Sequence, residues 1–303
     1  MKRVLLASTA LCLGAGMATA QDMMSGVSVT GDGRMGVVFD ENEEANFSSR
    51  VRVKFALAAE LDSGLSAGGD IRADNASGGA SGTAGKVFLA GPFGKLSMGD
   101  VDAGAKAAIG HVDGVGFTGL GDLNEITYTR GSEDGEEPAL QYMLPKMGPV
   151  QAYASVGQDN TGAGDGQEIS FDTFSVGAKA DLTMGVGTAW LGAGFEGTPE
   201  EGNDGHFVVG AGASVSGFTG KIAAGTSDDD NQFAVSARYS AGQIGATVFY
   251  ADDTDMNGNE ALGVGLDWSL GGNAHIKGGI STDIGQGNDE DVRHADLGVT
   301  FSF

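Results

Sequence analysis

Apolar and polar side chains alternate one for one along this chain, in run after run. In VSVTGDGRMGV (27–37), Val27, Val29, Met35 and Val37 share one side, and Ser28, Thr30, Asp32 and Arg34 the other. NQFAVSARYS (231–240) sets Phe233, Val235, Ala237 and Tyr239 against Gln232, Ser236 and Arg238. ALGVGLDWSL (261–270) sets Leu262, Val264, Leu266, Trp268 and Leu270 against Gly263, Gly265, Asp267 and Ser269. HADLGVTFSF (294–303) sets Ala295, Leu297, Val299, Phe301 and Phe303 against His294, Asp296, Gly298, Thr300 and Ser302. Successive side chains of a strand point to opposite faces, so this pattern specifies strands with one apolar and one polar face. About sixteen such runs fit the chain, at ~18 residues per strand plus connection; a bilayer-spanning strand needs ~9–11 of them.

The connections alternate as well. LDSGL (61–65), SGFTG (216–220), SAGQIG (240–245) and SLGGNAH (269–275) are tight, and KADLTMG (179–185) is of the same kind. GQDNTGAGDGQE (157–168), EGTPEEGNDG (196–205), TSDDDN (226–231), ADDTDMNGNE (251–260) and DIGQGNDEDVR (283–293) are long and acidic. Short turns at one end and long polar loops at the other mark an outer-membrane barrel. No helix-period segment is long enough to cover a sheet. A soluble sandwich would bury the apolar face; a barrel in lipid turns it outward. The even succession of strands without Greek-key irregularity favours the barrel. Phe39, Phe55, Tyr142, Trp190, Phe195, Tyr239, Tyr250, Trp268 and Phe301 fall mostly near strand ends, where an interfacial girdle would place them.

The first twenty residues read differently. Lys2 and Arg3 precede a short apolar run that closes on Ala18-Thr19-Ala20, the form of a cleavable secretory signal (1–20). Removing those 20 of 303 residues leaves a 283-residue barrel domain (21–303). The one cysteine, Cys12, lies inside the signal, so the mature chain has neither disulfide nor thiol chemistry. Of 17 Lys and Arg, 15 then face 41 Asp and Glu, a balance that argues against nucleic acid and against a basic patch docking on anionic lipid.

So acidic a chain nevertheless places Arg50, Arg52 and Lys54 on one face of SRVRVKFAL (49–57), opposite Val51, Val53, Phe55 and Leu57. GDGRMGVVFDENEEANFSSRVRVKF (31–55), KVFLAGPFGKLSMGD (86–100) and HADLGVTFSF (294–303) resemble the general-diffusion porins of Gram-negative bacteria, most of all the alphaproteobacterial branch known from purple photosynthetic bacteria. The resemblance covers nearly the whole mature chain in outline and is specific in those three segments. It implies a 16-stranded antiparallel transmembrane β-barrel with an inward-folded constriction loop after strand 5. It also implies a homotrimer in the outer membrane, a water-filled channel for small hydrophilic solutes in each subunit, and lipopolysaccharide as a neighbour. A terminal phenylalanine, matched by Phe303, would be read by the barrel assembly machinery.

In such a barrel the arginine face points to the lumen. Arg34, Arg50, Arg52, Lys54 and Arg72 place five of 15 mature basic residues within positions 34–72, where even scatter would put about two. The segment VDAGAKAAIGHVDGVGFTGLGDLNE (101–125) corresponds to the inward loop and offers Asp102, Asp113, Asp122 and Glu125 against Lys106. The resemblance implies that these acids face the basic wall across a constriction. Opposite charges held apart across a narrow aqueous gap create a transverse field that favours polar solutes. The acid excess suggests mild cation preference, opposed locally by the arginines.

Other motifs carry less. GDGRMG (31–36), GVGFTG (114–119) and GAGFEG (192–197) match the dinucleotide fingerprint, but with 54 glycines chance supplies about two matches, and the first and third lie in strands that open no helix. DTDMNG (253–258) starts like a calcium loop, yet its twelfth position is Val264 where bidentate coordination needs glutamate. Asp228, Asp229, Asp230, Asp253 and Asp255 could hold Ca²⁺ loosely; no other cofactor is expected. His111, His206, His275 and His294 lie in no catalytic motif, so the chain reads as a channel and not an enzyme. A Ser/His/acid cluster at one rim would speak for an enzyme. An aromatic slide on the inward face would speak for a sugar- or anion-selective barrel, and bulky paired inward residues for a plugged one.

Overall fold

The computed structural model describes residues 26–39, 45–76, 79–128, 139–157, 173–197, 205–227, 231–253, 259–284 and 292–303; the signal segment 1–20 lies outside them. Sixteen strands form: β1 (Gly26–Phe39), β2 (Ala45–Glu60), β3 (Ser66–Ala76), β4 (Gly79–Gly91), β5 (Gly94–Gly99), β6 (Ala139–Met143), β7 (Val150–Gly157), β8 (Thr173–Met184), β9 (Gly187–Gly197), β10 (His206–Val215), β11 (Phe218–Thr226), β12 (Asn231–Ala241), β13 (Ile244–Asp253), β14 (Asn259–Gly271), β15 (Ala274–Ile284) and β16 (Val292–Ser302). Between β5 and β6 lie a helix, α1 (Gly104–Ile109), and a 3-10 turn (Leu120–Asp122).

Each strand pairs antiparallel with its sequence neighbours, and β16 returns to β1 with Arg34 opposite Thr300 and Val37 opposite Leu297. Closure satisfies the backbone of a sheet in lipid without leaving a free edge. A further clasp lies beyond the last strand, where Gly31 and Phe303 exchange N–H···O bonds of 2.8 and 2.9 Å.

The polarity is inside-out. Val51, Leu57, Leu191, Leu266 and Leu297 are exposed, whereas Ser97, Ser175, Gln232, Ser236 and Asp296 are buried. The apolar face is therefore the outer, lipid-directed face. Turns 61–65, 92–93, 144–149, 185–186, 216–217, 242–243 and 272–273 are short and share one end; the other end carries the longest connections, 100–138 between β5 and β6 among them, although only residues 77–78 link β3 to β4. The 216–217 turn shows why so short a link works. Ser216 and Gly217 both have left-handed φ, 50° and 87°, the twist that matches flanking strands in a two-residue hairpin. A Cβ on Gly217 would lie 2.5 Å from the Ser240 carbonyl oxygen, which leaves glycine as the residue that fits.

The interior is not polar all round. The segment from Asp100 to Tyr128 leaves the long-loop end of β5 and turns inside the ring. Helix α1 packs on β7, β8, β9 and β10. Gly104 N–H donates to Ser155 Oγ at 2.9 Å and Ala105 N–H to Ser175 Oγ at 2.8 Å, both on the inward face. Missing side chains make the seat: a Cβ on Gly177 would fall 2.4 Å from the Gly104 oxygen, and one on Gly194 would fall 2.5 Å from Ala105 Cβ. Ala105, Ile109, Val112 and Val115 close on Val208, Ala223, Ala234 and Phe249 of β10–β13 in a dry core within the barrel.

Inward glycines make room for the inner segment and for neighbouring rings: Gly265 lies under Val115, Gly298 under Phe117 and Gly263 under Phe249. One expectation is corrected, since not every aromatic belongs to an outer girdle. Phe39, Phe55, Tyr239 and Trp268 are exposed on the outer face, but Trp190 points inward, across Gly210 and Gly212, with the Lys179 ammonium 4.8 Å from its ring.

Candidate functional site

The five basic residues singled out from the sequence stand together on the inner faces of β1, β2 and β3. Arg34 is directly opposite Arg50, Asp32 opposite Arg52, and Lys54 opposite Arg72. Like charges directly across a ladder repel, so the arrangement needs carboxylates. The acids that serve lie on the same strands, where local sequence gives no sign of the pairing. Arg50 Nη2 lies 3.5 Å from Asp32, Arg52 Nε 2.9 Å from Asp74, Arg72 Nε 3.0 Å from the same Asp74, and Lys54 Nζ 3.3 Å from Asp70. The wall is thus a zipper of pairs with an excess of cations, and side chains of Lys54 and Arg72 remain 36% and 43% exposed. Two inward lysines were also overlooked. Lys86 of β4 and Lys95 of β5 extend the basic arc, and the alternation Lys86-Val87-Phe88-Leu89 and Lys95-Leu96-Ser97-Met98 already carried that signal.

The inner segment meets this wall at one seam. Arg34 Nη1 donates to the Thr118 carbonyl at 3.0 Å, and the guanidinium lies 6.0 Å from the Phe117 ring. Asp296 holds the same turn from β16. Its Oδ2 accepts from Phe117 N–H (2.9 Å), Thr118 N–H (2.8 Å) and Thr118 Oγ (2.6 Å), and the residue is 4% exposed. Residues 119–122 all have left-handed φ, a tight coil that presents Asp122 to solvent within the field of Arg34.

The four loop acids do not act alike. Asp122 lies within the field of Arg34. Glu125 is its exposed neighbour, with a side chain 43% exposed. Asp102 is exposed at the start of the segment, and Gln141 binds its carbonyl. Asp113 is tied to the far wall instead: Lys221 Nζ of β11 approaches to 2.6 Å and Ser236 Oγ accepts its N–H at 2.9 Å. The expectation that it faces the basic wall is corrected on that ground.

Titration within the segment follows burial. His111 is pushed down to about 4 by desolvation and then by Lys106. Its Nε2 lies 3.3 Å from Glu125, but both ring nitrogens are buried without a hydrogen-bond partner, so this contact is not a charged pair near neutral pH. Desolvation and Asp122 raise Glu125 above the usual carboxylate range. The Tyr128 hydroxyl is raised by burial and then by Glu196, and donates to the Gly110 carbonyl at 2.6 Å.

Glu196, 0% exposed, anchors the other end of the segment. Ser175 Oγ donates to it at 3.0 Å, and His206 Nδ1 lies 3.3 Å away. His206 Nε2 meets Gln232 at 2.7 Å, and Gln232 binds both backbone groups of Thr127. This is the Ser/His/acid grouping that an enzyme would need, but it has the wrong order. The serine and the histidine each contact the acid, the acid is sealed from solvent, and Ser175 is occupied by Ala105 N–H. The inward aromatics are likewise occupied. Tyr153, Trp190 and Phe249 belong to the dry core, and Phe88 carries Lys95 at 4.3 Å.

Among the described residues no group of three or more His, Cys, Asp or Glu is placed to hold a metal ion. Asp228, Asp229, Asp230 and Asp255, and the side chain of Asp253, lie outside the described residues.

Comparison with known proteins agrees with this architecture. The family model for Gram-negative porins matches residues 7–303. A porin of Rhodobacter capsulatus is 32% identical over 305 residues, spanning 91% of this chain and 100% of that one. Two engineered variants of Rhodopseudomonas blastica porin are 20% and 21% identical, with TM-scores of 0.72 and 0.70, each covering 91% of this chain and 100% of its own. At that identity they speak for the barrel fold. With its closed sixteen-stranded ring, its inverted polarity and a family match over nearly its full length, this chain belongs to the Gram-negative porins and is a β-barrel of the outer membrane.

Proposed function

We propose that small hydrophilic solutes and ions diffuse passively through the lumen, between the basic arc of β1–β5 and the inner segment seated on β7–β16. The observation that carries this reading is that accessible inward cations, Lys54 and Arg72 on the wall, and exposed acids, Asp122 and Glu125 on the inner segment, lie inside a ring whose outer face is apolar. In this reading Arg34, Arg50, Arg52, Lys54 and Arg72 form the basic side of a constriction. Asp122 and Glu125 form the acidic side, Asp102 borders it, and Asp113 braces the loop. No bond is made or broken in transit, and the buried Glu196 grouping holds the loop without catalysing anything. The placement of the inward aromatics supports a general channel over a substrate-selective one, since among the described residues they form no continuous exposed track.

Family membership supports the rest: removal of residues 1–20 on export, a homotrimer among lipopolysaccharide, and Phe303 as the residue read by the assembly machinery. Loose Ca²⁺ at the acidic outer loops is a separate proposal, tested by adding and chelating Ca²⁺.

Single-channel recording in planar bilayers tests the channel. Ohmic steps in groups of three are expected, and Arg50→Ala or Arg52→Ala should move the reversal potential in a salt gradient toward cation preference. Absent steps, or a potential unmoved by both substitutions, would sink this reading.

A further inference from the structure

Below the arginines, toward the short-turn end, inward lysines of three strands stand around one carboxylate, Asp70. Lys54 Nζ of β2 is 3.3 Å from Asp70 of β3. Lys86 of β4 stands directly opposite Asp70 in the ladder. Lys95 of β5 is drawn across β4 toward them, its ammonium 4.3 Å from the centre of the Phe88 ring. That ring in turn lies over Gly68, one inward position from Asp70, where a Cβ would fall 2.7 Å from the ring. A lysine at the rim of a wet lumen is free to extend into water; this one is held flat by an aromatic platform whose own place depends on a glycine.

Three ammoniums against one carboxylate leave an excess of two positive charges. The residues above do not cancel it, because Arg52 and Arg72 share the single Asp74. Nothing in the packing requires this concentration, and like charges so close oppose each other. A low-dielectric wall around an aqueous passage raises the local concentration of counter-ions. A monovalent anion would neutralise half the excess. A dianion with several oxygens matches it and can accept charge-assisted hydrogen bonds from more than one lysine.

We infer that Lys54, Lys86 and Lys95, spaced by Asp70 and propped by Phe88, form an anion station that adjoins the arginine constriction through Lys54 and takes small oxyanion dianions of the phosphate type as they pass. The station rests on the channel reading above and gives it a substrate class. It sits between the arginines and the short-turn mouth, so anions meet two cationic stages in series.

The probe is inorganic phosphate at pH 8, titrated into the KCl bath of a single-channel recording of the whole protein. Phosphate should reduce the chloride current saturably. The double variant Lys86→Ala/Lys95→Ala should raise the half-blocking concentration about tenfold, the worth of two partly exposed charges. Asp70→Asn should lower it, a gain that misfolding cannot imitate. Lys146→Ala, in the exposed 144–149 turn, should leave it unchanged. A phosphate effect no greater than that of extra KCl, or one that neither the lysine variants nor Asp70→Asn move, would overturn the station while leaving the channel standing. A protein that passes no current in KCl would remove the channel and the station together.

Discussion

Asp296 shows how much one inward side chain can govern. A single carboxylate oxygen receives two backbone N–H groups and a hydroxyl of the inner segment, in a nearly sealed site. Asp296→Ala would leave both amides unsatisfied, at about 1–3 kcal/mol for each buried group. The expected outcome is a barrel that still folds but whose inner turn is loose, read as rapid flicker in single-channel current. Lys221→Met, by contrast, removes the partly exposed cation of the pair with Asp113 and should cost about 1 kcal/mol. His111 sets a pH dependence. Its folded value lies near 4 against 6.5 for the free side chain, so the unfolded segment takes up protons first on acidification. The stability it lends is present above pH 6.5 and lost as pH falls through about 4. Glu125, shifted upward, runs the other way, its contribution fading as pH rises above the ordinary carboxylate range. Flicker should therefore increase between pH 6.5 and 4 in the parent protein, and His111→Gln should flatten that rise.

At the scale of elements, most strands were legible because a period of two depends on neither partner nor loop. About sixteen alternating runs were expected and sixteen strands form, although KADLTMG, read as a tight turn, lies within β8 up to Met184; parity placed Arg34, Arg50, Arg52, Lys54 and Arg72 on one inner arc. What parity cannot express is which inward positions are filled by something other than water. The three glycine motifs are an example. GAGFEG carries no nucleotide chemistry, but Gly194 within it is the bed of α1, and GVGFTG contributes Gly116, whose bare backbone sits against Asp296 and Gly279. Asp74 and Asp296 were hidden for the same reason, since a partner across the ladder or across the lumen leaves no mark in local sequence. Gly194→Val tests the bed. The ladder hydrogen bonds are untouched, so the barrel should form, while α1 is displaced and the mean conductance and its noise both change. Unaltered recordings from this variant would show that the helix does not depend on that seat.

For the whole molecule, closure is the governing fact. The clasp between Gly31 and Phe303 adds a last pair of hydrogen bonds to the β1–β16 seam, with the Phe303 ring lying over Gly31 and near Phe301, 6.4 Å between centroids. Phe303→Ala should lower the yield of heat-modifiable, membrane-assembled protein while leaving the conductance of the channels that do assemble unchanged. A normal yield would argue that Phe303 adds nothing to assembly.

The inner segment is fastened almost wholly to β7–β16, and the basic residues stand on β1–β5, with Arg34 and Asp296 at the border. The two arcs thus answer to different demands. Substitutions on the first arc from Arg50 onward alter what the passage favours without touching the internal fastening, and those at the glycine and serine seats of the second alter the fastening without changing the charges a solute meets. A lineage could accordingly drift from one diet of solutes to another by editing a third of its wall, keeping the rest as inherited machinery.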